Sequence, residues 1–311
     1  MFSPGLDGGV ASVKAWLRPV PQAQCFPWPD HCLAVPHPRH ALVIEGGGMK
    51  GAYASGVLAA FEEHGHHPFD AVYGTSAGGA LGAWFSAGQA RFAQRTWDYA
   101  ADRRIVSYRR FARGGPLLDH EALLDIVYVQ EAPIDQEAIL RCRHPVVVTA
   151  VDIHTGETVY HDLREGDIIP WLKATGRLPF GAGTPVTIGS RTLLDGGIFD
   201  PIPVRKAVAD GARKLTVVLN TPPNATARDS RIASALVARR YPPLRHGIIN
   251  HHHIKEEAIA YASSPPLGVQ ATVIRPSKAT GLSRLTRDLD KIRRTLEQGR
   301  ADGAAHVARA D

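Results

Sequence analysis

Three short stretches of the chain hold residues able to do chemistry. The first is Gly46-Gly47-Gly48-Met49-Lys50-Gly51. Adjacent glycines ahead of a helix leave backbone N–H groups unobstructed, and the helix dipole adds to their pull on negative charge. That charge is either a phosphate or the oxyanion of an acyl-transfer intermediate. The stretch also fits G-x-G-x-x-G, the dinucleotide fingerprint. The acidic partner of that fingerprint is missing, because Asp70 lies at the wrong end of the next apolar run to reach a ribose. A P-loop is excluded, since Lys50 precedes Gly51 and no G-K-[ST] is formed.

The second stretch, Gly74-Thr75-Ser76-Ala77-Gly78, matches G-x-S-x-G. On a sharp strand-to-helix turn such a serine is presented as a nucleophile, and glycines on either side relieve the crowding around it. A serine there can also simply cap its helix. The glycine loop one βα unit earlier favours the nucleophile, because it puts N–H donors and a hydroxyl in one crevice. The third stretch is Asp195-Gly196-Gly197. A carboxylate leaving a short apolar run into two glycines serves as a base or bonds its own turn.

Histidine is the competing base. His64, His66 and His67 cluster at a helix end, where a solvated surface is expected, and residues 251–253 are a run of three. A Ser–His–Asp triad completed by His251 therefore stays open. No H-E-x-x-H pattern is present, and no metal site is expected.

For these groups to meet, they must emerge at one edge of a common sheet. Short apolar runs at 41–45, 69–73, 146–151 and 215–219 read as buried strands, with a weaker one at 272–274 and a shorter one at 191–194. A helix is predicted over 49–64, where Ala54, Val57, Leu58 and Phe61 share a face and Gly65 supplies the stop. Leu81, Trp84 and Phe85 stripe the helix after Ser76. Residues 91–143 read as a charged, mostly helical insertion, and 282–298 as an exposed basic helix. Strands alternating with helices imply an α/β fold with a largely parallel sheet covered on both faces. The expected organisation is a proline-rich surface arm over 1–38, one domain over 39–280 and a basic helical extension over 281–311.

With 44% apolar and 21% charged residues in 311, disordered and fibrous classes are excluded. The net charge of +6 favours anionic surfaces such as lipid headgroups. Its basic residues are scattered in short pairs such as Arg103–Arg104, Arg109–Arg110 and Arg239–Arg240, so nucleic acid is not an expected partner. Cys25, Cys32 and Cys142 are expected as reduced thiols. The uncharged stretch 71–90 carries five glycines and reads as strand plus helix, not a membrane span. No secretory pattern is visible at the start, so the expected location is the cytoplasm, with peripheral contact at the inner membrane face.

In their order and spacing, the three motifs resemble the patatin-like phospholipases, over roughly residues 41–219. The resemblance implies a three-layer α/β/α sandwich and a Ser–Asp dyad that works without histidine. It also implies hydrolysis of acyl esters, usually of lipids, through an acyl-enzyme and with no metal or cofactor. Carried over by motif, Ser76 is the nucleophile, Asp195 the general base, and Gly46, Gly47 and Gly48 the oxyanion hole. Lys50, Gly51, Gly74, Gly78, Gly196 and Gly197 complete the motifs. Lys50 stands where some members have arginine, and Gly197 where others have alanine. The rival readings are an α/β-hydrolase-type esterase using His251, and a non-catalytic lipid- or nucleotide-binding protein.

Overall fold

The structure, a computed structural model, describes residues 38–179, 183–223 and 231–310. Apart from its last residue, the arm expected over 1–38 lies outside the described residues, as do Cys25 and Cys32. Cys142 is a reduced thiol that donates to the Ser86 carbonyl.

Eight strands form one sheet: β1 (His40–Ile44), β2 (Ala71–Thr75), β3 (Val146–Asp152), β4 (Thr158–Asp162), β5 (Val186–Ile188), β6 (Arg191–Asp195), β7 (Lys214–Val218) and β8 (Gln270–Ile274). Their order is β5-β6-β3-β2-β1-β7-β8, with β4 also paired to β3. The run from β3 through β2, β1 and β7 to β8 is parallel, while β4, β5 and β6 pair antiparallel.

Every residue of β1, β2 and β3 is buried, which is why their sequences are apolar runs and not alternations. The period of two still decides which layer each side chain meets. Leu42, Ile44, Val72 and Val148 pack with α1 (Ala52–Glu63), α2 (Ala77–Ser86) and the helix Leu289–Ala310. Ala41, Val43, Ala71 and Tyr73 face the other way, against the helices Val204–Ala209 and His251–Ser263. The result is a three-layer α/β/α sandwich. Among the described residues, no helix is long and apolar enough to cross a membrane.

Several elements differ from expectation for physical reasons. The helix predicted over 49–64 opens as a 3-10 turn, Gly48–Gly51, before α1 begins. Strands β4 and β5 are not among the expected ones, since β4 (TVYHD) is only half-buried and lacks a long apolar run. The last helix is not an exposed extension. It runs Leu289–Ala310 and buries Ile292, Leu296 and Val307 on the α1 side. Gly56 faces the Leu296 backbone and Gly299 faces the Tyr53 backbone, so the two helices touch main chain to main chain. The Tyr53 hydroxyl then donates to Asp302 at 2.6 Å. The cluster after α1 is likewise not all solvated: His66 packs on Phe61 and Phe69, and His67 on Phe85, where burial lowers the pKa of His67 to about 4.

Candidate active site

Strand β3 is the ruler that brings Ser76 and Asp195 together. β4 occupies one edge of β3, so β2 and β6 must share the other. On that edge Thr75 of β2 pairs with Thr149, and Asp195 of β6 pairs with the next residue, Ala150. The two strands therefore meet end to end, and Ser76 arrives beside Asp195.

Ser76 has φ 57° and ψ −130°, a left-handed conformation rare for a residue with a side chain. Its side chain makes no capping bond to α2. The hydroxyl instead stands beside Asp195, where it favours the charged carboxylate, and the Ser76 N–H donates to Thr175 Oγ1 at 2.9 Å. A helix cap would need the hydroxyl to accept an N–H of α2. The elbow closes because Gly74 and Gly78 lack side chains: a β-carbon on Gly78 would sit 2.5 Å from the Ile44 carbonyl oxygen. Gly196 has the same role at the acid, where a β-carbon would lie 2.6 Å from the Thr149 carbonyl carbon.

Asp195 is only 4% exposed. Its Oδ1 accepts the Gly197 N–H at 2.8 Å, and its own N–H donates to the Arg177 carbonyl at 2.8 Å. Burial raises its pKa to about 6; the Ser76 hydroxyl, the Gly197 N–H and the charge of Arg284 pull the other way. Such a carboxylate is ionised at pH 7 yet far more basic than an exposed one.

The glycine loop leaves β1 through Glu45, whose carboxylate is fully buried. It accepts from the N–H groups of Asn220 (2.6 Å) and Thr221 (3.1 Å) and the Thr221 hydroxyl (2.7 Å), and pairs with Lys255 at 2.5 Å. The root of the loop is thereby fixed to the end of β7. Gly46 then donates its N–H to the Pro201 carbonyl at 3.1 Å, so of the three glycines expected to face an oxyanion this one is already engaged. The N–H groups of Gly47 and Gly48 have no acceptor among the described residues, and both glycines line a cavity with Ser76. Ala77 opens α2 and lines it too; its N–H, which a helix of that register leaves without an internal acceptor, is a further donor that the motifs do not reveal. Gly48 has φ +55°, and the following Met49 N–H donates to the Arg284 carbonyl at 3.1 Å. Lys50 closes the 3-10 turn through its N–H to the Gly47 carbonyl, and Gly51 packs against Ala77 and the Trp97 ring.

The cavity measures about 330 Å³, within the range of small-molecule sites. Ser76, Asp195 and the glycine loop form part of its wall. Much of the rest is apolar, including Leu81, Trp84, Trp97, Ile105, Leu118 and Val127. Arg284, His251 and Lys255 also reach it. His251 Nε2 accepts from the Arg284 guanidinium at 2.5 Å, so its ring is turned to that partner, whereas the Ser76 hydroxyl acts on the Asp195 carboxylate. Sequence motifs do not single out Glu45, Thr175 or Arg284. A charged residue ending the apolar run 41–45 is a signal for Glu45; no local pattern marks the other two.

A serine elbow and a glycine loop side by side on a mainly parallel sheet between two helical layers define the class: an ester hydrolase of three-layer α/β/α architecture. The profile described as patatin-like phospholipase matches residues 42–208, more than half of the chain. The chain belongs to the patatin-like phospholipase family. A second profile, a domain of unknown function (DUF6363), matches residues 241–310. Among relatives, the chain is 27% identical over 287 residues to the uncharacterized protein YjjU of Escherichia coli, covering 87% of this chain and 77% of the relative. It is 28% identical over 201 residues to an uncharacterized NTE family protein of Mycobacterium bovis, covering 62% of this chain and 52% of that one. It is also 30% identical over 196 residues to Lysophospholipase NTE1 of Mycosarcoma maydis, covering 57% of this chain and 9% of that protein.

Proposed function

We propose that the protein cleaves lipid esters with a Ser76–Asp195 dyad. Asp195 accepts the Ser76 proton as Oγ attacks the ester carbonyl. The tetrahedral oxyanion is held by the N–H groups of Gly47, Gly48 and Ala77, each such donor contributing about 3 kcal/mol. Asp195 returns the proton to the departing alcohol, leaving an acyl ester on Ser76. Water then attacks that ester with Asp195 again as base, and the fatty acid leaves.

The observation that carries this reading is a strained serine, free of any capping bond, that shares a cavity wall with a buried carboxylate. Labelling with a fluorophosphonate tests it. The adduct is expected on Ser76 and at least about a hundredfold slower in Asp195→Asn, the scale of general-base catalysis. An adduct elsewhere, or labelling indifferent to Asp195, overturns it.

The largely apolar cavity of about 330 Å³ suits an acyl chain, and one relative carries the name lysophospholipase, so monoacyl lipids are the proposed substrates. Peripheral contact with an anionic membrane is assigned to the exposed helix Tyr108–Ala112. Tyr108 and Phe111 are 57% and 40% exposed beside Arg109 and Arg113, and Ile105 and Leu118 at the base of this excursion line the cavity.

A further inference from the structure

The region 241–310 contributes to the cavity as well as packing behind it. His251 and Lys255 reach it from the helix His251–Ser263, and Arg284 from the turn before the last helix. These three are not equivalent in charge. The Lys255 ammonium is matched by the buried Glu45 carboxylate. Arg284 has no carboxylate within ion-pair distance among the described residues, and its side chain donates to the acceptor nitrogen of His251. A guanidinium that donates to an imidazole nitrogen keeps its whole charge, since the imidazole accepting it is neutral. An unmatched cation thus stands at the wall of an otherwise largely apolar cavity.

Its place relative to the reacting atoms is fixed by its own backbone. The Arg284 carbonyl accepts the Met49 N–H, and a β-carbon on Gly48 would lie 2.6 Å from that same oxygen. The residue therefore abuts the glycine loop, and its charge is felt at Asp195. The apolar walls take the acyl chain of an ester. The alcohol side is left to the polar groups, of which Arg284 is the cation with no carboxylate at ion-pair distance among the described residues. A planar guanidinium fork is matched in shape by two oxygens of a phosphate. In a monoacyl lipid, the group next to the ester that carries such oxygens is the glycerol phosphate.

Resting on the hydrolase reading above, we propose that Arg284, oriented by His251, is a specificity residue that binds the phosphate of the leaving alcohol. The enzyme then prefers phosphate-bearing monoacyl lipids to neutral ones of the same chain length. The C-terminal region supplies this preference, while the segment that matches the patatin profile supplies the reacting groups.

The test compares kcat/KM for a lysophosphatidic acid and a monoacylglycerol with one acyl chain, both as dispersed monomers. Wild type is expected to favour the phosphate lipid, and Arg284→Gln to lower that preference by about 10- to 100-fold, mostly through KM, the loss typical of a hydrogen bond to a charged group. Arg284→Lys is expected to recover part of it, because charge returns without the fork. The main-chain bond to Met49 survives both substitutions, and fluorophosphonate labelling of Ser76 checks that each variant keeps its site. An equal loss on both substrates makes Arg284 a support of the glycine loop and overturns the proposal, as does an unchanged preference. Inorganic phosphate that inhibits monoacylglycerol cleavage in wild type but not in Arg284→Gln reassigns the site to a free anion and also overturns it. If wild type cleaves neither lipid, the hydrolase reading fails by itself. Headgroup selection is then read in Ser76→Ala from the fluorescence of Trp84 and Trp97 in the cavity wall. Arg284→Gln in that background must weaken binding of lysophosphatidic acid more than that of monoacylglycerol; equal weakening overturns the proposal.

Discussion

At pH 7 the carboxylate of Asp195 carries a charge that its surroundings disfavour, and this tension links function to stability. Burial holds its pKa at about 6, against 3.8 for an ordinary aspartate. The native state therefore binds more protons than the unfolded chain between those two values, so stability falls as pH rises through this window. A separation of that size corresponds to about 3 kcal/mol at most. Asp195→Asn removes the charge and keeps an oxygen for the Gly197 N–H. The variant should be more stable than wild type at pH 7 by about 1–3 kcal/mol, with the gain vanishing near pH 4. Urea denaturation at the two pH values measures this, and a variant that is less stable at pH 7 contradicts the assigned environment. Ser76 and the loop glycines stood out by residue type and spacing, and the structure brings them into one cavity wall with Asp195, which the residues alone left in competition with histidine. Which loop N–H groups are available was not legible, because the Gly46 donor is taken by Pro201, a residue 155 positions away.

At the scale of elements, the glycine loop is held by a buried ion pair and not by its own sequence. Glu45 joins the end of β1 to Asn220, Thr221 and Lys255. Glu45→Gln leaves the Lys255 ammonium without its counter-charge and should cost about 3 kcal/mol or more, the usual cost of breaking a buried pair. The urea midpoint reports it; a shift below about 1 kcal/mol would show the pair to be dispensable. A second expectation concerns the helix Tyr108–Ala112. Tyr108→Ser combined with Phe111→Ser should weaken binding to vesicles of phosphatidylglycerol and phosphatidylcholine by about tenfold or more, given the apolar area two aromatic rings bury. Co-sedimentation of Ser76→Ala protein measures this without turnover, and undiminished binding would move the contact elsewhere. The parallel strands could be read from the sequence because burial on both faces leaves uninterrupted apolar runs. β4 and β5 could not, being held by pairing with β3 and β6 more than by their own composition.

At the scale of the whole molecule, residues of the two matched regions line one cavity. The segment 42–208 carries the elbow, the acid and the loop. The segment 241–310 lays its last helix along α1 and braces the loop through the Arg284 carbonyl. Its basic residues made that helix read as an exposed extension, and the predicted helix stopped at 298, short of Gly299 and Gly303. Those glycines allow the close approach to Tyr53 and Val57. Compositional reading treats glycine in a helix as a weakness, and only a partner helix reveals its use.

The central claim is that Ser76 is activated by Asp195, and the rate of Ser76 labelling by a fluorophosphonate, followed against pH in wild type and Asp195→Asn, tests it most directly. Only the ionised carboxylate accepts the serine proton, so the wild-type rate should rise with pH through about 6 and then level. Asp195→Asn should label at least about a hundredfold more slowly with no such rise. Equal rates for the two proteins, or a wild-type rate that rises only well above pH 6 and persists in the variant, would contradict the dyad.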